Sequence, residues 1–232
     1  MRQVAKYKLP KETETPGLRE MRDEDVPQVT DLLRRYLARM RFAQEFNEEE
    51  IRHWMLDKAN KEKNMERVVF AYVIESGEGD KKKITDFFSF YRLESTVIGN
   101  KKYDTIRAAY LFYYATETAF DSQQINAKSK APQQAENSVL KARLNKLVRD
   151  ALILAKKANF DVFNALTLID NPLFLNQQLF GAGDGNLHYY LYNWRMKPIA
   201  GGVGLGPPTP QNPNGVGMAD ESKMEGVGVV ML

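Results

Sequence analysis

A glycine-rich loop is the first candidate for chemistry in this sequence. Three glycines alternate with other residues at the start of FGAGDGNLHYYLYNW, residues 180–194. Such loops hold phosphates when they open a helix, but this one leads into residues typical of a strand. The carboxylate of Asp184 would repel a phosphate and attract a cation, such as a lysine side chain or an amine. The alternative is a tight loop whose glycines supply positive φ angles.

The C-terminal carboxylate is the second candidate. The chain ends on EGVGVVML, so the free carboxylate of Leu232 follows an apolar run. Chain termini are usually polar and poorly ordered, whereas this segment has the composition of a buried strand, which we predict over residues 227–232. From the residues alone, the simplest interpretation is that this strand completes a sheet.

Composition excludes several other chemistries. The 232 residues include no cysteine, which excludes disulfides, thiolate nucleophiles and cysteine metal sites. The net charge of +3 is too small to indicate a nucleic-acid partner. His53 and His188 lack the neighbours of a base or a metal ligand, so we expect no metal site. We also expect no membrane span and, without a secretory signal at the first residues, a cytoplasmic location.

The elements that must position these groups follow from periodicity and composition. Helices are predicted over residues 23–40, 46–56, 138–160 and 171–180, and strands over 18–21, 67–76, 84–95, 106–117, 161–170, 186–196 and 227–232. Residues 1–17 are predicted to be an extended lead-in and residues 18–232 one domain, with mobile insertions at 121–137 and 198–223. The aromatic runs FFSFY and YLFYY are expected to form core, or the walls of a groove.

This order of elements predicts a mixed α/β (α+β) sheet and resembles the GNAT acyltransferase fold. In that fold a glycine-rich loop at the start of the central helix holds the pyrophosphate of the acyl-CoA. Residues 121–158 contain no glycine. We therefore expect the fold without its own acyl-CoA site, which disfavours an ordinary acetyltransferase.

Several stretches together resemble the C-terminal half of eukaryotic N-myristoyltransferases (glycylpeptide N-tetradecanoyltransferases), most of all fungal ones. They are PGLREM, ITDFFSFYRLESTVI, AAYLFYY, FDVFNAL, FGAGDGNLHYYLYNW and the apolar C-terminus. The resemblance runs from about Tyr7 to Leu232. It implies one of two pseudo-symmetric GNAT-like halves, namely the half that forms most of the floor for an acceptor peptide. The N-terminal half of such enzymes binds myristoyl-CoA and supplies the oxyanion hole.

The resemblance also implies roles for particular residues. The Leu232 carboxylate would be the base that takes a proton from the N-terminal glycine ammonium of the substrate, because an ammonium has no lone pair with which to attack a thioester. Peptide-binding roles are implied for Ser95, Tyr110, Asn164, Ala165, Leu166, Asp184, Gly185 and Leu187. Asp184 and Gly185 would meet a basic side chain further along the peptide.

A complete member of that family is much longer than this chain. We therefore expect that the chain alone is catalytically silent, and that it exposes an apolar face for the missing N-terminal half. Myristoyl-CoA would be a co-substrate, with no cofactor bound tightly, and peptides that begin with glycine would be the acceptors. The alternative is a non-catalytic module that binds peptides beginning with glycine.

Overall fold

The computed structural model describes most of the chain. The described residues are 5–56, 66–79, 82–99, 102–120, 132–183, 189–190, 192–197, 199, 203–205, 216–219 and 226–230. The helices are α1 (Val26–Leu37), α2 (Glu48–Met55), α3 (Pro132–Lys157) and α4 (Pro172–Leu175). The strands are β1 (Leu18–Glu20), β2 (Phe42–Ala43), β3 (Val69–Ser76), β4 (Lys83–Thr96), β5 (Thr105–Thr116), β6 (Val162–Asn164), β7 (Val203–Leu205), β8 (Val216–Ala219) and β9 (Val227–Gly228).

A five-stranded mixed sheet forms the centre of the molecule. Its order is β1-β3-β4-β5-β6, with β6 parallel to β5 and the other neighbours antiparallel. β2 and β9 form a separate parallel pair, and β7 and β8 an antiparallel one. The mixed α/β architecture expected from the sequence is therefore confirmed.

The helices bury the stripes that their periodicity predicts. In α1 the buried side chains include Val29, Leu33 and Tyr36, and α3 buries Leu144 and Leu147. Asn47 caps α2, because its side chain accepts the Glu50 N–H at 2.9 Å while the Glu50 carboxylate accepts the Asn47 N–H. These helices pack on the sheet, and their buried residues join those of the strands in one core cluster.

Several predicted boundaries were wrong. The long helix begins at Pro132 rather than at residue 138 and ends at Lys157, where Asn159 adopts a left-handed φ of 63° that closes the helix. The strand predicted over 161–170 covers only Val162–Asn164, and the helix predicted over 171–180 only Pro172–Leu175. At 189–190 and 192–197 the described residues form no strand, and residues 198–223 contain β7 and β8.

Candidate functional site

Three of the residues singled out in the sequence lie on one face of neighbouring strands. Opposite residues of paired strands point to the same side of a sheet. Tyr110 of β5 lies between Tyr91 of β4 and Asn164 of β6. Ser95 lies four residues beyond Tyr91 and so on the same face, opposite Ile106. The structure therefore brings Ser95, Tyr110 and Asn164 onto a common surface.

An open apolar strip fills the space between these polar positions. The intervening row consists of Leu93, Ala108 and Val162 on β4, β5 and β6. Leu93 is 50% exposed, Val162 41% and the adjacent Ile106 42%, whereas Ala108 is buried between them. Four residues of strand span about 13 Å, so the strip is long enough for several residues of an extended chain.

A cluster of aromatic side chains closes one end of the strip. The ring of Tyr110 stacks on that of Tyr91 with centroids 5.4 Å apart, and Phe112 meets Tyr91 edge-on at 5.6 Å. Burial, with smaller contributions from Tyr110 and Tyr189, raises the pKa of the Tyr91 hydroxyl. Tyr91 therefore stays protonated at neutral pH, and the aromatic side chains at this end of the strip carry no charge.

The loop after β6 holds two more of the predicted residues. Ala165 and Leu166 are partly buried and pack against the core. The carbonyl oxygen of Leu166 accepts a hydrogen bond from the Asn171 side-chain amide at 2.5 Å, and the Asn171 Oδ1 accepts one from the Tyr114 hydroxyl at 2.7 Å. The loop that continues the strip is thus attached to the interior of the sheet.

A buried carboxylate fixes the far end of this loop. Asp170 accepts hydrogen bonds from the Tyr36 hydroxyl at 2.5 Å and from Arg39 at 2.8 Å. Its own backbone N–H donates to the Tyr114 hydroxyl at 3.1 Å. Burial raises the pKa of both tyrosines, and the neighbouring Asp170 charge adds to the effect, so both phenols keep their protons. The loop is therefore tied to α1 and to β5.

The C-terminal segment described by the structure, residues 226–230, packs against the rest of the molecule. Residues 226–230 include buried Gly228 and Val230, and Val230 is only 8% exposed. β9 lies parallel to β2, and the Val227 carbonyl oxygen accepts the Ile169 N–H at 3.0 Å. Ile169 has a φ of 54°, which is a strained conformation for a β-branched residue. The strain at Ile169 lies where the loop after β6 holds the C-terminal segment.

Two tyrosines contact the segment after β9. The Tyr189 hydroxyl donates to the Val229 carbonyl oxygen at 2.6 Å, and the Val230 N–H donates to the Tyr113 hydroxyl at 2.9 Å. The aromatic content of the sequence predicted neither contact, because no residue pattern separates these tyrosines from their neighbours in YLFYY and HYYLY.

The remaining predicted site residues lie outside the described part of the chain. They are Asp184, Gly185, Leu187 and Leu232, together with His188. His53 is exposed at the surface of α2, with its ring against Trp54. Within the described ranges no cluster of side chains could hold a metal ion, and no helix is both long and apolar enough to cross a bilayer.

The sheet order and the long helix α3 define the class of the fold as a GNAT-like acyltransferase. A family model described as "Myristoyl-CoA:protein N-myristoyltransferase, C-terminal domain" matches residues 1–219. The chain therefore belongs to the N-myristoyltransferase family and corresponds to its C-terminal domain.

Similar fungal proteins cover the whole chain. A glycylpeptide N-tetradecanoyltransferase of Aspergillus fumigatus is 55% identical over 231 residues, which are 100% of this chain and 42% of the relative. The Saccharomyces cerevisiae protein of that name is 44% identical over 99% of this chain and 46% of its own. A crystal structure of Saccharomyces cerevisiae N-myristoyltransferase with bound myristoyl-CoA has a TM-score of 0.81 and 43% identity, covering 100% of this chain and 50% of that one. The chain thus spans about half or less of these relatives.

Proposed function

We propose that this chain is the peptide-binding, base-supplying half of a protein N-myristoyltransferase. The complete enzyme would transfer myristate from myristoyl-CoA to the N-terminal glycine amine of protein substrates. The observation that carries the proposal is the burial of Gly228 and Val230 in residues 226–230, which lie just before the last two residues of the chain. Membership of the family and the apolar strip on β4, β5 and β6 support it.

The acceptor peptide would lie along the apolar strip. An extended peptide that covered Leu93, Ile106 and Val162 would remove half-exposed apolar side chains from water, which favours binding. Ser95 at one end, and Tyr110 and Asn164 at the other, offer polar groups that can fix its register. In this proposal Ala165 and Leu166 form the wall beside the residues that follow the acceptor glycine, together with Leu187. Asp184 and Gly185 would meet a basic side chain further along.

The Leu232 carboxylate would act as the base. Leu232 follows Val230 by two residues, so in an extended chain its Cα would lie about 7 Å from the Val230 Cα, with the carboxylate just beyond it. There it can orient the glycine ammonium and accept its proton as the nitrogen attacks the thioester carbonyl carbon. The carbon–sulfur bond then breaks, the nitrogen gives up its second proton to the leaving sulfur, and CoA departs as the thiol. A low-dielectric surrounding raises the pKa of a carboxylate and makes it a stronger base.

The acyl-CoA site and the oxyanion hole would come from the N-terminal half. The glycine-free stretch 121–158 offers no loop of the kind that holds a pyrophosphate. Preorganised donors to an oxyanion are worth about 3–4 kcal/mol of barrier each. We therefore expect this chain alone to be inactive, with myristoyl-CoA as a co-substrate of the assembled enzyme. The cytoplasmic location and the domain limits of the sequence analysis remain predictions.

A second candidate function is a non-catalytic module that binds peptides beginning with glycine. It is favoured by the open apolar strip, because the half-exposed side chains of Leu93, Ile106 and Val162 can bind a peptide without any catalytic step. Such a module would need neither acyl-CoA nor a base.

Release of CoA from myristoyl-CoA, with a peptide that begins with glycine, separates these functions. The chain is assayed alone and after co-expression with the N-terminal half of the Aspergillus fumigatus relative. The same peptide with an acetylated N-terminus is the control. We expect turnover only in the co-expressed pair and only with the free amine. Turnover by the chain alone would contradict the need for the N-terminal half, and peptide binding without any rescue of activity would favour the second function.

A further inference from the structure

A β-bulge in β5 determines the direction of Tyr113. Ser89 of β4 faces two residues of β5, Phe112 and Tyr113, because the register shifts between Phe88 and Phe90. The Ser89 hydroxyl donates to the Tyr113 carbonyl oxygen at 2.9 Å and accepts the Tyr113 N–H at 3.2 Å. The Ser89 side chain thus bonds the backbone N–H and carbonyl of Tyr113, which the extra residue removes from the regular pairing of β4 and β5. Bulges of this kind redirect a side chain relative to the regular alternation of the strand.

The redirected phenol is held rigidly. The Tyr113 ring is completely buried, with Phe46 edge-on at 5.0 Å and Phe112 at 4.7 Å between ring centroids. Its hydroxyl donates to the Gln44 Oε1 at 3.3 Å and accepts the Val230 N–H. Burial raises the pKa of Tyr113 to about 12. The phenol therefore keeps its proton, which it donates to Gln44. A lone pair of the same oxygen then accepts the Val230 N–H.

The two tyrosine contacts converge on a single peptide unit. The Val229 carbonyl, which accepts from Tyr189, and the Val230 N–H, which donates to Tyr113, belong to the same planar amide group. In a trans amide these two groups point in opposite directions. The contacts therefore fix the rotation of the amide plane from both sides. β9 pairs with β2 only at Val227 and Gly228. The two phenols therefore bind the backbone directly after the last residue of that strand pairing.

We propose that Tyr113 and Tyr189 are positioning residues that clamp the Val229–Val230 amide and thereby aim the carboxylate of Leu232. This inference rests on the proposed base function of Leu232. Neither phenol is placed as a catalytic residue, because each binds backbone atoms two or three residues before the carboxylate. Rotation of the clamped amide would swing the chain end, and a base displaced by about 1 Å can lose a hundredfold in rate.

The substitutions Tyr113→Phe and Tyr189→Phe, singly and together, test the clamp because each removes only a hydroxyl. Tyr72→Phe is the matched control, since Tyr72 is a buried tyrosine of the same sheet whose ring stacks on Phe88 and Phe90. In the co-expressed enzyme we expect kcat to fall about 10- to 100-fold in the double variant, with KM for the acceptor peptide changed by less than about twofold. Tyr72→Phe should leave both constants unchanged.

A second measurement does not depend on activity. Amide hydrogen exchange in the 232-residue chain should be about tenfold faster at Val230 in Tyr113→Phe, because one hydrogen bond of that amide is lost. Exchange in the middle of β4 and β5 should not change. If Tyr113→Phe fails to fold, the kcat and KM of Tyr189→Phe test the proposal instead, because Tyr189 is only half-buried. Unchanged kcat and unchanged Val230 exchange would overturn the proposal.

Blocking the terminal carboxylate separates failure of the clamp from failure of the base. In an enzyme whose Leu232 carries a carboxamide, the tyrosine substitutions should cause no further loss, because the group that they position is already disabled. A full additional loss of rate in that background would overturn the clamp while leaving the base in place. If the carboxamide itself does not slow the enzyme, the base assignment is wrong, whatever the tyrosines do.

Discussion

At the scale of single residues, Gly228 shows how tightly the C-terminal segment is packed. A Cβ at this position would lie 2.8 Å from the Met40 Cγ, 3.1 Å from the Met40 Cβ and 3.3 Å from the Ala43 Cβ. Rotation about χ1 of Met40 can move its Cγ but not its Cβ, so a Cβ at position 228 requires Met40 or β9 to shift. The close approach of β9 to Met40 and Ala43 therefore favours glycine at position 228.

Gly228→Ala should destabilise the protein by about 1–3 kcal/mol, as overpacking of a core does. Urea unfolding measures this change. Gly181→Ala is the control, since a Cβ there meets nothing within 4 Å, and it should lie within about 0.5 kcal/mol of the wild type. Adding Met40→Ala to Gly228→Ala should recover part of the loss. A neutral Gly228→Ala would show that β9 is loosely held.

At the scale of elements, an ion cluster attaches α1 to the sheet. The Glu117 carboxylate, just after β5, accepts two hydrogen bonds from Arg35 of α1 at 2.9 and 3.0 Å. Lys83 at the start of β4 lies 2.7 Å from the same carboxylate. Hydrogen bonds from Arg35 are the main cause that lowers the pKa of Glu117 below its ordinary value of 4.5, although partial burial opposes them.

This depressed pKa gives a pH-dependent contribution to stability. Because the folded pKa lies below the unfolded one, the contribution is complete above pH 4.5 and is lost as the pH falls through the folded value. Glu117→Gln should therefore be less stable than the wild type at neutral pH, and the difference should shrink in acid. Urea unfolding across this pH range measures it. Asp31→Asn, at an exposed partner of the same Arg35, should show a much smaller effect. A difference that does not depend on pH would contradict the role of the Glu117 charge.

Most of the long helices and strands could be predicted from the sequence, whereas the bulge and the shortest strand pair could not. The regular periodicity of residues 26–37 and the β-branched and aromatic content of 69–76, 83–96 and 105–116 led to elements within a few residues of those observed. The bulge at Tyr113 could not be predicted, because nearly every position of AAYLFYYA is apolar or aromatic, and such a run fits either register equally well. The short pair of β2 and β9 joins segments far apart in the chain, and only tertiary packing stabilises it.

The candidate site, like the fold, could be predicted from the sequence only in part. The family resemblance supplied Ser95, Tyr110 and Asn164, and the strand register then placed them on one face. The half-exposed strip between them could not be read from the sequence, because Leu93 and Val162 look like ordinary core residues there. The clamp on the Val229–Val230 amide depends on side-chain directions, which residue types do not reveal.

At the scale of the whole molecule, one stretch exposes large side chains at alternate positions. Tyr190 and Tyr192 are each 87% exposed, Trp194 is 78% exposed and Met196 52%. Monomeric proteins rarely leave such a group in contact with water unless it forms an interface. Since the chain spans only 42% of its Aspergillus fumigatus relative, we expect the N-terminal half of the enzyme to cover these residues.

Replacement of Tyr192 and Trp194 by serine should weaken association with that half. Aromatic residues dominate the binding energy of protein interfaces, and each truncation at a central position costs about 2 kcal/mol or more. Titration calorimetry with the separately expressed N-terminal half measures the loss. Tyr103→Ser is the control, because Tyr103 is 57% exposed in a different loop. Equal affinities for both variants would show that residues 190–196 lie outside the interface.

The proposed function requires that the Leu232 carboxylate take part in the reaction. The most direct measurement is the single-turnover rate of myristoyl transfer by the co-expressed enzyme, with the Leu232 carboxylate either free or converted to a carboxamide by ligation. We predict a rate at least about a hundredfold lower for the carboxamide, as expected when a general base is removed, with peptide affinity largely retained. Equal rates for the two forms would contradict the assignment of Leu232 as the base.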